Sequence, residues 1–157
     1  MPLLATKYFG SVAIETTDLY SFPFGLPGFE SDKSFVLMDV PGRSPLLLLQ
    51  SADREQLCFP ALPVQAIDPE YELAVSREDL DVLEWDLARP PRLGEEIAAL
   101  ALVSLPEGRQ ATANLLAPVV IHIEKRLAVQ AVRHDSRYSH QHPVGAAAAP
   151  EAGQKAC

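Results

Sequence analysis

The sequence is short of long apolar runs, of cysteine and of basic residues, and each shortage closes off a class of protein. The longest uninterrupted apolar stretches, such as 97–103, fall well below the ~18 residues that a membrane-spanning helix needs. The only two cysteines are Cys58, in an apolar setting, and Cys157, in a polar one. No disulfide scaffold is expected from such a pair, and Cys58 reads as a small core residue. Lysine and arginine number 13 against 21 aspartates and glutamates, a formal charge of -8. That balance repels phosphate backbones and favours basic protein surfaces, so direct nucleic-acid binding is not expected. The first residues lack the basic and apolar regions of a secretory leader, which predicts a cytoplasmic protein.

Catalytic signatures are equally scarce. No serine stands in a nucleophile elbow, and carboxylate neighbours such as Asp79 and Asp81 show no sign of a desolvated pocket. His140 and His142, with His134 and Asp135 nearby, do not have the spacing of a metal site and read as a surface group. His122 is expected half-exposed on a strand face. Neither an enzyme, a metal nor a cofactor is predicted.

What the chain has is enough apolar material for one core, 48% of 157 residues, cut into short segments by turn formers. Residues 6–14 and 18–22 read as strands, and 35–40 with 46–50 as a hairpin around a Pro-Gly turn. Prolines 60, 63 and 69 suggest an irregular or edge path, before 71–75 alternates like a half-buried strand. A helix is predicted from Ser76, whose hydroxyl can cap its first turn, with Asp79 as partner and Leu80, Leu83 and Leu87 on one face. Further strands follow over 96–105, 111–116, 119–124 and 127–132, with Lys125 and Arg126 at a hairpin tip. About nine short strands and one helix predict a mainly β, antiparallel barrel-like domain over 1–144. Residues 145–157 contain little to pack and are expected to form a flexible tail.

Two Pro-punctuated segments stand out: Phe22-Pro23-Phe24-Gly25-Leu26-Pro27-Gly28-Phe29-Glu30, and Thr112-Ala113-Asn114-Leu115-Leu116-Ala117-Pro118-Val119. In the first, Pro23 and Pro27 lock φ while Gly25 and Gly28 permit positive φ. This shape either presents Phe22, Phe24, Phe29 and Glu30 to a partner or plugs one end of a barrel with the aromatic rings. In the second, Asn114 is expected to be a satisfied amide pinning a neighbouring loop, with Pro118 at a bulge or strand start. Between residues 68 and 86 lie eight carboxylates, including Glu70, Glu72, Asp81 and Glu84, against one base, Arg77. The bland reading is a solvated face with helix-dipole partners at Glu78 and Asp79; the functional one is steering of a basic partner.

These two segments, together with Leu49-Gln50-Ser51 running into Leu57-Cys58-Phe59-Pro60, resemble the flagellar assembly factor family FliW over residues 6–143. The resemblance implies a mostly β, barrel-like fold and a binding protein with two ligands, flagellin and the RNA-binding translational regulator CsrA. It also implies antagonism of CsrA, so that flagellin translation follows flagellin export. Under this reading the acidic stretch faces CsrA and Tyr138 anchors a last segment across the barrel; the oligomeric state is left open, with a monomer favoured. Leu46 to Leu49 stand where the family often has aromatic residues, and 62–67 is also less aromatic, which weakens any partner contact there. The rival reading is a barrel binding a small ligand or single-stranded nucleic acid, with Lys125, Arg126, Arg133 and Arg137 as its basic residues.

Overall fold

The computed structural model describes residues 3–86, 88–135 and 137–144, so the expected tail and Leu87 lie outside the described residues. The chain forms β1 (Leu3–Thr6), β2 (Gly10–Ala13), a 3-10 turn (Thr16–Asp18), β3 (Tyr20–Ser21), β4 (Ser34–Asp39), β5 (Leu47–Ser51) and β6 (Cys58–Pro63). Two short helices follow, α1 (Val64–Ile67) and α2 (Arg77–Val82), and then β7 (Ile97–Ser104), β8 (Thr112–Ala113), β9 (Val119–His122), β10 (Leu127–Gln130) and β11 (His142–Pro143). Strands β7, β6, β5, β4, β3, β10 and β9 pair in that order, and β9 returns to β7, which closes a seven-stranded barrel. The mainly β, barrel-like class predicted above is therefore the one observed.

Alternation along the strands sorts the core into an inside and an outside. Leu49 of β5, Ala61 of β6, Leu100 of β7 and Val119 and Ile121 of β9 meet Phe22 and Phe35 in the barrel interior. The opposite faces are buried too. Leu48, Leu62, Ala101 and Val103 lie under Tyr71 and Leu115, and Ile97 and Val120 lie under Leu83 and Trp85. A second layer of loops and helix thus covers much of the wall.

This second layer explains where sequence reading and structure part. His122 is buried rather than half-exposed, because its face of β9 lies beneath Trp85, ring centroids 5.1 Å apart. Residues 71–75 do alternate in burial, but they form no strand: they run extended over the barrel without a ladder partner. Prolines 60 and 63 sit inside a barrel strand, not on an irregular path. Pro60 has a registered neighbour on β5 only and Pro63 on β7 only, so neither stands where both sides of the strand must donate. The expected strand over 6–14 is a hairpin, with β1 and β2 forming a separate two-stranded sheet. The 35–40/46–50 hairpin and the strand over 96–105 appear close to their expected bounds. Ser76 caps α2, its hydroxyl accepting from the Asp79 N–H at 3.1 Å.

Candidate functional site

The loop between β3 and β4 is built from the inside out. Phe22 is fully buried and stands edge-on to Phe35, centroids 4.9 Å apart. Leu26 is buried beside it, and Phe29 packs edge-on against Phe59 at 5.4 Å. These residues plug one end of the barrel, so Phe22 has no surface to offer a partner. Phe24 turns outward and is 65% exposed. Of the three aromatic residues that the sequence offered, Phe24 is exposed, Phe29 is half-buried and Phe22 is buried.

Two turns hold that shape. The Phe29 N–H donates to Leu26 O at 2.7 Å across Pro27-Gly28, with Gly28 at φ +86°, the left-handed position such a turn requires. Glu30 folds back so that its Oε2 accepts the Gly28 N–H at 2.8 Å, and that bond holds its carboxyl below the usual range. Gly25 is more tightly constrained. It has φ +63°, and a Cβ there would lie 2.5 Å from Phe29 O and 2.7 Å from Glu30 Cα. Pro23 is exposed, and its carbonyl accepts from Lys33 Nζ at 2.8 Å.

The loop is fastened to the barrel by a carboxylate that the sequence did not announce. Asp32, 2% exposed, pairs with Arg54 and accepts from Ser51 Oγ at 3.3 Å. The Arg54 guanidinium, itself 5.6 Å from the Phe29 ring centroid, holds the Asp32 carboxyl below its ordinary value against the opposing effect of burial. Next to it, buried Gln50 reaches the carbonyls of Glu55 at 2.9 Å and Leu57 at 3.2 Å, and its Oε1 accepts the Lys7 N–H at 3.0 Å. Leu49-Gln50-Ser51 is therefore a junction where the 22–33 loop, the 52–57 loop and the β1–β2 hairpin meet. Its unusual polar pair inside an apolar strand was the available signal.

A second cluster lies on the outer layer. Tyr71 is buried and donates to Leu115 O at 2.7 Å; Tyr138 stacks on it at 4.4 Å and accepts the Glu72 N–H at 3.0 Å. Burial pushes the Tyr71 hydroxyl up. Buried Arg133 lies 4.9 Å from the Tyr138 ring centroid, pairs with Asp135 and donates to Glu72 O at 2.5 Å. Asn114 bends its own segment: Oδ1 accepts from the N–H groups of Leu116 at 3.1 Å and Ala117 at 2.9 Å, leading into buried Pro118 at the start of β9.

The acidic stretch is exposed but unevenly available. Glu72 is bound to Arg137 at 2.5 Å and Glu84 to Lys125 at 3.4 Å. Glu70 and Asp81 are exposed and enter no salt bridge among the described residues. The basic residues that kept a nucleic-acid reading open are occupied from within. Besides Lys125, Arg133 and Arg137, the Arg126 guanidinium lies 3.9 Å from the Tyr20 ring centroid and donates to Leu19 O and Asp18 O. Among the described residues no three of His, Cys, Asp and Glu gather as metal ligands, and no helix is long and apolar enough to cross a membrane.

Set against known proteins, residues 3–144 match the family model described as FliW protein. The chain is 32% identical to the flagellar assembly factor FliW of Bacillus licheniformis, with 91% of this chain and 96% of that protein covered. It is 30% identical to the one of Bacillus subtilis over the same shares. A crystal structure of the flagellar assembly factor FliW superposes with a TM-score of 0.79 at 31% identity, covering 90% of this chain and 96% of the other.

Proposed function

The chain belongs to the FliW family of flagellar assembly factors, and from that premise we propose that it binds flagellin and the translational regulator CsrA. It acts in the cytoplasm by occupying these proteins, not by catalysis. While it holds CsrA, flagellin mRNA is translated; when flagellin accumulates, CsrA is displaced and silences it. Linkage makes the exchange reciprocal: if flagellin weakens CsrA binding tenfold, CsrA weakens flagellin binding tenfold, a coupling of about 1.4 kcal/mol.

The observation that best supports this reading is the extent of the family match, which runs through the whole described barrel including its plugging loop and outer layer. The surfaces are assigned by chemistry. Phe24, a rigidly presented and 65% exposed aromatic, suits an apolar patch on flagellin. Glu70 and Asp81 suit the basic surface that an RNA-binding protein carries. Glu72 and Glu84 contribute less, because each already has a basic neighbour.

Calorimetric titration with flagellin and CsrA from the same organism tests both assignments. Phe24→Ala should weaken flagellin about tenfold or more, and Glu70→Lys with Asp81→Lys should weaken CsrA while flattening its salt dependence. Unchanged CsrA affinity and salt slope would remove the acidic-face assignment. Failure of the folded native chain to bind either protein would remove the reading itself.

A further inference from the structure

The barrel wall has a gap beside β3. Tyr20 pairs with Phe35 and Ser21 with Ser34, while β4 continues to Asp39 with β5 as its neighbour throughout. The chain ahead of β3 cannot extend the ladder, because the Thr16–Asp18 turn diverts it, with the side chains of Glu15 and Asp18 capping each other's backbone.

Which backbone groups this leaves open follows from the neighbouring bonds. Ser34 O accepts the Ala52 N–H at 2.9 Å on the β5 side, and Lys33 O accepts the Phe22 N–H at 2.8 Å on the β3 side. Successive residues of a strand address opposite sides, so Phe35, Leu37 and Asp39 address the β3 side. Phe35 meets Tyr20 there. Leu37 and Asp39 have no strand beside them on that side, and no backbone partner among the described residues.

The space in front of them is a groove of about 590 Å³. One side is β4 from Val36 to Asp39; the other includes Val12, Ala13 and Ile14 at β2. Since β1 and β2 form a sheet of their own, the groove lies between two sheet edges. We propose that it accepts an extended, basic and apolar peptide segment of a partner protein as an added strand along β4. The backbone of that segment bonds the open N–H and C=O groups of Leu37 and Asp39. Because Phe35 and Leu37 belong to the interior cluster, alternate side chains of the added strand face that cluster and are apolar.

Charge decides the rest of the composition. Asp18 and Asp39 line the groove with one base, Arg126, whose guanidinium already serves Tyr20 and two carbonyls. A basic segment is favoured, and a second copy of a chain with formal charge -8 is not. The groove shares no residue with the acidic stretch or with Phe24, so this inference stands apart from the function proposed above.

Residue-resolved amide exchange on the full chain tests it, using as probe a capped heptapeptide that alternates valine and lysine. In the free protein, Leu37 and Asp39 should exchange fast while Val36 and Met38, bonded to β5, exchange slowly. The probe should slow Leu37 and Asp39 at least tenfold, and Asp39→Lys should weaken the probe at least threefold. The same peptide N-methylated at alternate amides should protect neither. Equal protection by the methylated peptide, or no protection by the probe, overturns the proposal. Slow exchange at Leu37 and Asp39 in the free protein overturns it as well. If that slow exchange persists on dilution, the chain itself fills the groove; if it is lost, a second copy does.

Discussion

Two arginine–carboxylate pairs tie the outer parts of the molecule to the barrel, and they are built inside out relative to one another. In the pair that fastens the 22–33 loop, the carboxylate of Asp32 is 2% exposed and Arg54 54%; in the pair near the chain's end, Arg133 is 4% exposed and Asp135 53%. The difference matters because a buried carboxyl that loses its partner can take up a proton, whereas a guanidinium cannot lose one. While intact, both pairs hold their carboxyl below its ordinary value; it is on loss of the partner that the first anchor can answer by taking up a proton and the second cannot. Arg133 is better insured in another way, through the Glu72 carbonyl and the ring of Tyr138.

The largest effect is expected inside the loop that Asp32 holds. Gly25→Ala sets a methyl against Phe29 O and Glu30 Cα at a positive φ, which should cost about 3 kcal/mol in denaturant titration. Gly28→Ala has open space around it and should cost only about 1 kcal/mol for its backbone conformation. If the two variants are equally stable, the loop yields at its base and Asp32 is not what fixes it.

Next comes Asp135→Ala, which leaves a buried guanidinium without its countercharge and should lower the melting temperature by about 6 °C, equally at pH 5 and pH 8. Arg54→Ala should lower it by about 4 °C at pH 7, with a strong pH dependence. In the native protein the Asp32 carboxyl sits below its ordinary value, its bond to Arg54 being the largest cause. The pair's contribution is therefore present above the unfolded carboxyl's pKa and is lost as pH falls through the folded one. Without Arg54, burial, which raises the carboxyl, is a larger influence than the remaining bond from Ser51, which lowers it. The deficit of the variant should then shrink as pH falls toward about 4. A deficit independent of pH would mean that Asp32 is hydrated and not buried.

The contrast between the anchors also marks what could be read from the chain beforehand. Strands that show one apolar and one polar face, or a turn signal at each end, were legible, as in the 35–40/46–50 hairpin and the capped start of α2. Alternation misled at 71–75, which alternates in burial yet pairs with no strand, and covering on both faces hid the burial of a polar residue inside an otherwise legible strand. An apolar run such as Val119 to Ile121 carries no alternation once a second layer buries its outer face, so His122 looked half-exposed. The loop's presentation of Phe24 was legible only in outline, because which of its aromatic residues turns inward depends on Phe35 and Phe59, which are remote in sequence. Asp32 and Arg133 escaped because nothing local separates a carboxylate or guanidinium destined for burial from one bound for water. Arg54 lies 22 residues from Asp32, and the Glu72 carbonyl that receives Arg133 lies 61 residues from it; Asp135, only two residues from Arg133, is itself exposed and gives no sign of that burial.

The smallest effect should come from a pair in which neither member is buried. Glu72 and Arg137 approach to 2.5 Å, yet their side chains are 65% and 51% exposed. Water replaces either partner at little cost, salt screens the attraction, and holding two long side chains together loses rotamer freedom. Glu72→Gln should therefore move the melting temperature by less than about 1 °C. The backbone carbonyl of the same residue, which accepts from Arg133, is untouched by that change. A shift as large as that of Asp135→Ala would show that Arg137 and Arg133 share one network around Tyr138, and the second anchor would then have to be counted as a cluster instead of a pair.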